Sequence, residues 1–288
     1  MTQGFDKLEG FIWMDGNMVD WADANVHVLT HALHYGGSVF EGIRIYNGKI
    51  FKLRDHMERL IKSAEIIGAP ITQSLDEICV AVEDTVAKNN LTDGYIRPLA
   101  WRGPEEMGIG ALGCKTHMMV ACWPWGKYFG EMTGITLRTS KWKKANPETA
   151  VTASKCGALY VTNTLAKHES IHAGYDDALM LDYRGYVAES SAANLFMVKD
   201  GKVSTTIPDC FLNGITRLTI IDLCERNGID IDVRHIMPNE LMAADEVFVT
   251  GTLAEVTPVT KIDQIEFKIG EVTKNLIALY QKETGQIE

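Results

Sequence analysis

The sequence has no excess of basic residues and no long apolar run. It carries 28 Lys and Arg against 38 Asp and Glu, which gives a formal net charge of −10. Proteins bind nucleic acids through basic stripes, so a nucleic-acid partner is not expected. The longest apolar run, MMVACWPW, is far too short to cross a bilayer, and the first ten residues, MTQGFDKLEG, lack the apolar core of a signal peptide. The sequence therefore predicts a cytoplasmic protein with no membrane partner.

The chain also lacks paired cysteines. None of its six cysteines forms a Cys-x-x-Cys pattern, so the spacing typical of zinc and redox sites is missing. In the absence of a secretory signal, we expect reduced thiols that are buried as small hydrophobic side chains. These residues are Cys79, Cys114, Cys122, Cys156, Cys210 and Cys224.

Length and composition are those of an ordinary globular protein, with 288 residues, 46% of them hydrophobic and 23% charged. This is enough apolar material for one large domain or two modest ones. The stretch PWGKYFGEMTG is rich in glycine and aromatic residues and is typical of a crossing between domains. We therefore predict a small N-terminal domain at 1–124, an interdomain loop at 125–136 and a large C-terminal domain at 137–288.

Turn and helix signals alternate along both predicted domains. Asn47-Gly48 separates two strand-like runs, which predicts a hairpin, and two further glycine turns predict hairpins in the second half. LRDHMERLIKSAEIIG has apolar residues at helical spacing, and SLDEICVAVEDTVAKNN opens with a capping box from Ser74 to Glu77. Strands and helices mixed in this way predict an α+β protein.

Two patterns that could indicate ligands are weak. GIGALG (108–113) matches Gly-x-Gly-x-x-Gly, but no strand precedes it and no helix follows it, so a glycine loop is the better interpretation. His27, His31 and His34 would share one face if ANVHVLTHALHYG is helical, and that spacing could hold zinc. No carboxylate cluster or cysteine supports a metal there, so a structural role is favoured and no metal site is predicted.

Four features are more informative, although each also has an ordinary explanation. Lys155 stands among small and apolar residues in VTASKCGALY, which is either an exposed loop or a pocket. Glu189 is followed by SSAA, and taken alone it is best interpreted as a turn residue. NGITRLTI places a glycine before a helix start, which suits either a phosphate or a plain N-cap by Asn213 or Thr216. Arg59 is either solvated or a phosphate clamp.

Taken together, these features form a set that suits pyridoxal phosphate. A lysine forms the Schiff base, and a tyrosine five positions later, Tyr160, can bond the ring hydroxyl. A carboxylate 34 residues after the lysine, Glu189, keeps the ring nitrogen protonated, so that the ring can accept electrons. A helix start and an arginine take the phosphate. A lysine among apolar neighbours also loses proton affinity, as a nucleophile requires.

Four motifs then carry a resemblance to a known family. HALHYGGSVFEGIR (31–44), YIRPL (95–99), NGITR (213–217) and GTLAEVTPV (251–259) resemble the branched-chain amino acid aminotransferases, in that family's order and spacing. These are fold-type IV pyridoxal-phosphate enzymes, and the resemblance covers nearly the whole chain. It implies an α+β fold of two α/β-type domains, as in D-amino acid aminotransferase-like enzymes. The active site would lie between the domains, with the cofactor on the C-terminal one.

The resemblance implies a role for each matching residue. Lys155 would be the Schiff-base lysine and the acid and base for the proton shift, and Tyr95 and Arg97 would bind the substrate α-carboxylate. The phosphate would be held by Arg59 and by residues of the NGITR and GTLAEVTPV motifs. The implied cofactor set is Arg59, Lys155, Tyr160, Glu189, Gly214, Ile215, Thr216 and Thr252. The implied substrate set is Tyr35, Phe40, Gly42, Tyr95, Arg97, Trp125, Tyr128, Thr252 and Leu253.

The resemblance also implies a reaction and an assembly. The reaction would move the amino group of L-leucine, L-isoleucine or L-valine to 2-oxoglutarate, and the reverse. One pocket would then accept both an apolar side chain and the side-chain carboxylate of glutamate, with Arg97 as the charge for the latter. Part of the pocket would come from a neighbouring subunit, which implies a homodimer or a larger dimer-based assembly such as a hexamer.

Two departures from the family pattern leave the substrate range open. The chain has Gly157-Ala158-Leu159-Tyr160 where the family often has Gly-Gly-Asn-Tyr, and Ser190 where it often has glycine. A D-amino acid or (R)-amine transaminase of the same fold is therefore the alternative, although YIRP speaks against it. Further alternatives are a lyase similar to aminodeoxychorismate lyase and a non-catalytic phosphate-binding protein with a surface lysine.

Overall fold

The computed structural model describes residues 4–126 and 133–287. The chain forms two compact units. The first comprises residues up to Gly126 together with Ser154–Ala158, and the second comprises the rest. The segment around Lys155 therefore belongs with the first unit, although it lies within the predicted C-terminal domain. A strand begins at Ile135, inside the predicted interdomain loop, and half of that loop lies outside the described residues.

The first unit is built on one antiparallel sheet of seven strands, in the order β2-β1-β7-β6-β4-β5, with β3 paired to β6. Its strands are β1 (Phe11–Met14), β2 (Asn17–Asp20), β3 (Ser38–Phe40), β4 (Ile43–Tyr46), β5 (Lys49–Ile50), β6 (Gly94–Arg102) and β7 (Thr116–Trp123). Its helices are α1 (His31–Tyr35), α2 (Leu53–Ile66) and α3 (Leu75–Lys88).

Local signals explain these elements. Asn47 and Gly48 both have positive φ (47° and 78°), as the tight turn between β4 and β5 requires, so the predicted hairpin is confirmed. The capping box at the start of α3 is also confirmed, because Ser74 and Glu77 bond each other's backbone reciprocally. Helix α2 buries apolar residues such as Leu60, and it also buries the polar residues His56 and Ser63.

The second unit is built on a nine-stranded mixed sheet, in the order β10-β9-β8-β15-β14-β11-β12-β13, with β16 paired to β15. Its strands are β8 (Ile135–Thr139), β9 (Asp177–Leu181), β10 (Val187–Ser190), β11 (Asn194–Lys199), β12 (Lys202–Thr206), β13 (Ile231–Arg234), β14 (Glu246–Gly251), β15 (Glu255–Ile262) and β16 (Ile265–Glu266). Its helices are α4 (Tyr160–His172), α5 (Ile215–Arg226), α6 (Pro238–Leu241) and α7 (Glu271–Glu283).

An additional pairing between β10 and β11 closes six of these strands into a ring. The closing pair in the register is Glu189 opposite Asn194. Most residues of the main apolar core of this unit lie on the strands of the ring, among them Leu137, Leu179 and Val259. The candidate carboxylate of the sequence analysis therefore lies where the ring closes.

Several expectations need correction or qualification. His27, His31 and His34 do not share a helix, because α1 begins only at His31 after a turn in which Thr30 N bonds His27 O. Their ring nitrogens instead contact backbone groups of the N-terminal unit. GIGALG lies in the loop between β6 and β7, as expected. Four of the six free cysteines are buried, but Cys79 and Cys114 are partly exposed. Among residues 4–126 and 133–287, no helix is long and apolar enough to cross a membrane.

Candidate active site

The backbone of Lys155 is fixed by two elements of the first unit. Its N–H donates to Ser63 Oγ of α2 at 3.0 Å, and its carbonyl accepts from Phe40 N of β3 at 3.2 Å. The preceding residue adds a third bond, because Ser154 Oγ donates to Ser63 O at 3.0 Å. The lysine in VTASKCGALY is therefore anchored inside the fold at its main chain, which is not expected for an incidental charge on an exposed loop.

The side chain of Lys155 lies close to several predicted substrate residues. Its Nζ is 5.1 Å from the centre of the Phe40 ring, and the guanidinium of Arg97 is 4.7 Å from the centre of the same ring. Arg97 Nη2 donates to Tyr95 Oη at 3.0 Å. A Cβ on Gly42 would stand 1.9 Å from Tyr95 Oη, so glycine is required there. The structure thus brings the predicted lysine, arginine, tyrosine and phenylalanine together within one unit.

Arg97 has the donor capacity that a carboxylate ligand needs. Its Nε is buried and has no hydrogen-bond partner within residues 4–126 and 133–287. A buried donor without a partner costs free energy, and an incoming carboxylate would satisfy it with a charge-assisted bond. The arrangement therefore fits the carboxylate-binding role that the resemblance implies for Arg97.

Aromatic rings extend the group on the side of Tyr95. The Tyr95 ring lies 5.2 Å from Trp123 and 6.2 Å from Trp125, and Phe5 lies 6.4 Å from Trp125. Trp125 was predicted from the sequence, whereas Trp123 and Phe5 were not. Tyr128 lies outside the described residues.

Tyr35 is the last residue of α1 and is 46% exposed. Its ring contacts His31 and His34, with centroid distances of 4.6 and 6.3 Å. Its predicted role in the substrate pocket remains a prediction.

Arg59 is held by a buried carboxylate that the sequence analysis missed. Its Nε donates to Glu41 Oε1 at 2.6 Å and its Nη2 donates to Glu41 Oε2 at 2.9 Å, a side-on bidentate pair. His56 Nδ1 bonds Glu41 Oε2 at 2.7 Å. Residues 56, 59 and 63 therefore form one face of α2 that holds Glu41 and the backbone of Lys155.

The charges of this trio follow from its burial. Burial alone would raise the pKa of Glu41, but Arg59 and His56 outweigh it and hold that pKa well below its usual range. Burial lowers the pKa of His56, and the attraction of Glu41 does not overcome it. Glu41 is thus an ionised partner of the Arg59 guanidinium, while His56 is neutral and donates from Nδ1.

Glu189 is paired inside the second unit. Lys144 Nζ lies 2.7 Å from its Oε1, and Asn194 Nδ2 donates to its Oε2 at 2.9 Å. All three residues are buried, and Lys144 Nζ also donates to Asn163 Oδ1 at 3.0 Å. Both oxygens of this buried carboxylate therefore have a partner on the second unit. Glu189 is therefore more than the turn residue that it resembles when taken alone.

The start of α5 has the features of an anion site. Gly214 is the N-cap residue, and no described side chain caps this end of the 12-residue helix. Asn213 Oδ1 instead accepts from Arg217 Nη1 at 2.8 Å, which argues against the plain N-cap that the sequence left open. A helix start that no side chain caps, with Ile215 and Thr216 in its first turn, suits a phosphate.

The remaining predicted residues lie at the ends of elements in the second unit. Thr252 and Leu253 form the turn between β14 and β15, and Tyr160 is the first residue of α4. Their roles toward a ligand remain predictions.

Glu41, His56, Lys144 and Asn194 are the supporting residues that sequence reasoning missed. A weak signal existed for two of them. Glu41 is a lone acid between apolar residues in SVFEGIR, and Asn194 immediately precedes the apolar run LFMV. Neither pattern indicates which residue the side chain would contact.

Comparison with known proteins agrees with this geometry. The family described as amino-transferase class IV matches residues 38–262. A branched-chain-amino-acid aminotransferase of Pseudomonas aeruginosa is 43% identical over 94% of this chain and 92% of its own length. The branched-chain aminotransferase of Thermoproteus uzoniensis, solved with norvaline, superposes with a TM-score of 0.93 at 36% identity, over 97% of this chain and 96% of its own.

A further solved structure names a phosphate-bearing ligand. The T.th. branched-chain amino acid aminotransferase with pyridoxamine 5'-phosphate superposes with a TM-score of 0.93 at 40% identity, over 97% of this chain and 96% of its own. The matched residues span well over half of the sequence, and the α+β fold predicted from its motifs is confirmed. The chain therefore belongs to the class IV aminotransferases, with the fold-type IV architecture.

Proposed function

We propose that this chain moves the amino group between L-branched-chain amino acids (leucine, isoleucine and valine) and 2-oxoglutarate, with pyridoxal 5'-phosphate as its cofactor. The observation that carries the proposal is that Lys155 Nζ and the Arg97 guanidinium lie near the same Phe40 ring. A nucleophilic amine is thereby set beside a cation that can bind a substrate carboxylate. The near-full-length relatives named branched-chain aminotransferases give the substrate class.

The cofactor, when bound, supplies an electron sink for the electron pair that remains when the substrate Cα–H bond loses its proton. Lys155 Nζ would then accept and return that proton, because it is the amine next to the carboxylate-binding arginine. Arg97 and Tyr95 would orient the substrate through its carboxylate. Glu189 would hold the proton of the ring nitrogen, and Tyr160 would bond the ring hydroxyl.

Two elements would hold the phosphate. Arg59 presents a guanidinium whose plane is fixed by the bidentate pair with Glu41. The start of α5, which follows Gly214, presents the backbone N–H groups of Ile215 and Thr216 and the positive end of a helix dipole. Thr252 would add a hydroxyl. The donor set is thus one guanidinium, one helix start and a side-chain hydroxyl, all of which can donate hydrogen bonds to phosphate oxygens.

The substrate side chain would lie among aromatic rings. Phe40, Trp125 and the neighbouring Trp123 offer apolar surface beside Tyr95. The YIRP motif and the near-full-length relatives named branched-chain aminotransferases favour this reaction over the D-amino acid and (R)-amine alternatives. We also propose a homodimer or larger dimer-based assembly and a cytoplasmic location.

The visible spectrum of the purified protein tests the proposal. We expect an absorption band from bound cofactor that bleaches with L-leucine and persists with D-leucine. Lys155→Ala is expected to reduce transamination below detection while the phosphate site still binds cofactor, and Lys143→Ala, an exposed lysine in the same unit as Glu189, should leave turnover unchanged. Near-normal turnover in Lys155→Ala would contradict the assignment of the Schiff-base lysine. Bleaching only with D-leucine would show that the substrate is a D-amino acid.

A further inference from the structure

The side chain of Asn194 joins the two parts of the second unit that are proposed to face the cofactor. It is the first residue of β11, is 4% exposed, and lies opposite Glu189 in the strand register. Its Nδ2 donates to Glu189 Oε2 at 2.9 Å and to Leu212 O at 3.1 Å. Its Oδ1 accepts from Gly214 N at 3.1 Å. One amide thus bonds the buried carboxylate, the loop before α5 and the N-cap of α5.

The chemistry of the partners fixes which way the amide points. The N–H of Gly214 can only donate, so it requires the amide oxygen. The ionised carboxylate of Glu189 and the carbonyl of Leu212 can only accept, so they require the amide nitrogen. A flipped amide would lose all three bonds. Asparagine is therefore specified at this position by its mixed donor and acceptor character, and aspartate or leucine of similar size would not satisfy the same partners.

Close packing makes the connection stiff. A Cβ on Gly214 would stand 2.1 Å from Asn194 Oδ1, so the helix start approaches the amide as closely as its backbone allows. On the other side, Lys144 Nζ holds the second oxygen of Glu189 at 2.7 Å. Movement of Glu189 toward Lys144 would have to break the Asn194 bond. The position of the carboxylate relative to the start of α5 is therefore set by a single side chain.

We propose that Asn194 is a positioning residue that sets the spacing between the carboxylate for the ring nitrogen and the helix start for the phosphate. This inference rests on the proposed function, in which both groups bind one pyridoxal phosphate. The ring nitrogen and the phosphate belong to one small, rigid molecule, so an error in their spacing weakens both contacts at once. Sites of this kind tolerate displacements of only about 0.5 Å.

Two substitutions distinguish the bond of Asn194 to Glu189 from its bond to Gly214. Asn194→Ala removes every bond of the side chain, so both ends lose their partner. Asn194→Asp is nearly isosteric and keeps an oxygen for Gly214 N, but it replaces the donor to Glu189 with a second carboxyl. Two carboxyls in contact share a proton at low pH and repel each other when both are ionised. The Asp variant should therefore behave nearly normally at low pH and fail as the pH rises.

Pyridoxal, which lacks the phosphate, is the probe that distinguishes positioning from general damage. The dissociation constants of pyridoxal phosphate and pyridoxal are measured by absorbance for wild type and both variants. We expect Asn194→Ala to weaken pyridoxal phosphate about tenfold more than pyridoxal, the equivalent of one to two lost hydrogen bonds. We expect Asn194→Asp to keep the wild-type ratio of the two constants. Its half-reaction rate with L-leucine should fall at least tenfold between pH 6 and pH 9 relative to wild type.

The control is Asn227, an exposed residue at the other end of α5 whose Nδ2 bonds Leu223 O. Asn227→Asp should change neither the ratio of dissociation constants nor the pH profile. Equal weakening of both ligands in Asn194→Ala, with a pH profile of Asn194→Asp parallel to wild type, would overturn the inference and leave Asn194 a structural residue. The wild type tests the phosphate site separately from the variants. If it binds pyridoxal phosphate no more tightly than pyridoxal, the proposed phosphate site is wrong.

Discussion

Each unit of the molecule buries one glutamate beside a cation, and the two glutamates are held differently. Glu41 in the first unit has both oxygens bonded by Arg59, side-on, and one of them also by neutral His56. Glu189 in the second unit has one oxygen on the Lys144 ammonium and the other on the Asn194 amide. A planar guanidinium fixes its partner in two directions, whereas an ammonium acts as a point charge.

This difference suggests different roles for the two carboxylates, one in orienting a binding residue and the other in the reaction. The negative charge of Glu41 is matched to the guanidinium of Arg59, so its effect is to fix the orientation of that side chain. Glu189 is held in place by neighbours that approach it from two separate directions, and in the proposed function it also faces the ring nitrogen. The comparison predicts that removing the charge of Glu189 affects the chemistry, and that removing the charge of Glu41 affects binding.

The largest effect is expected for Glu189→Gln. An amide cannot hold a proton on the ring nitrogen, so the electron sink weakens and the half-reaction with L-leucine should slow about 100-fold, the scale of one lost electrostatic contact at a reacting centre. Stopped-flow absorbance of the half-reaction measures this rate. Glu148→Gln, an exposed glutamate of the same unit, serves as the matched control. An unchanged rate would mean that Glu189 does not face the ring nitrogen.

A smaller effect, and on a different quantity, is expected for Glu41→Gln. Loss of the charge-assisted pair frees the Arg59 guanidinium to rotate, so the dissociation constant of pyridoxal phosphate should rise about tenfold while that of pyridoxal changes little. Glu58→Gln is the matched control, since Glu58 precedes Arg59 on α2 and its side chain is 59% exposed. The opposite result is also informative. Tighter phosphate binding in Glu41→Gln would show that Glu41 acts mainly by offsetting the charge of Arg59.

The sequence predicted local structure well because local chemistry determines it. The turn at Asn47-Gly48 and the capping box at Ser74 depend only on nearby residues, and both are present. The histidine helix was wrong because a turn precedes α1, and side-chain spacing does not reveal where a helix begins.

The supporting residues of the site could not be predicted in the same way. Lys144 is 45 positions from Glu189, and Asn194 meets Gly214 across 20 positions. No periodicity or motif specifies such partners, since strand pairing and helix packing bring them together. The residues expected to touch a ligand were predicted by resemblance, whereas the residues that hold them in place became visible only in the fold.

A third group of carboxylates, Asp15 and Glu105 around His117, lies near the surface and shows how burial changes the pKa of a histidine beside a carboxylate. His117 Nδ1 bonds Asp15 Oδ2 at 2.7 Å and its Nε2 lies 3.0 Å from Glu105 Oε1, with the His117 side chain 25% exposed. Burial alone would lower the pKa of His117, but its bonds to Asp15 and Glu105 outweigh it and raise the pKa above 6.5. The pKa of the buried His56 shifts the other way. The same pair of residue types therefore gives a histidine with a lowered pKa in the interior and one with a raised pKa near the surface.

The smallest predicted effect follows from the sign of that shift. A folded pKa above the unfolded value stabilises the protein below about pH 6.5, and this stabilisation is lost as the pH rises through the folded pKa. Burial would raise the pKa of Glu105, but its bonds to His117 and to the backbone lower it below 4.5, so its stabilisation is lost as the pH falls through the folded value. The cluster should therefore stabilise most between about pH 4.5 and 6.5, by ~1 kcal/mol or less at this partly exposed site.

Thermal melting of wild type and His117→Gln across pH 5 to 9 measures this contribution. The difference in melting temperature should be largest near pH 6 and shrink toward pH 9, because the wild-type histidine then loses its charge. The matched buried substitution, His56→Gln, should show a constant difference from about pH 6.5 to 9. Below about pH 6.5 the wild type should lose stability relative to this variant, because the folded pKa of His56 is lowered and the unfolded state binds a proton that the folded state does not. Parallel pH profiles for wild type and His117→Gln would show that the cluster of His117, Asp15 and Glu105 carries no charge-dependent stability.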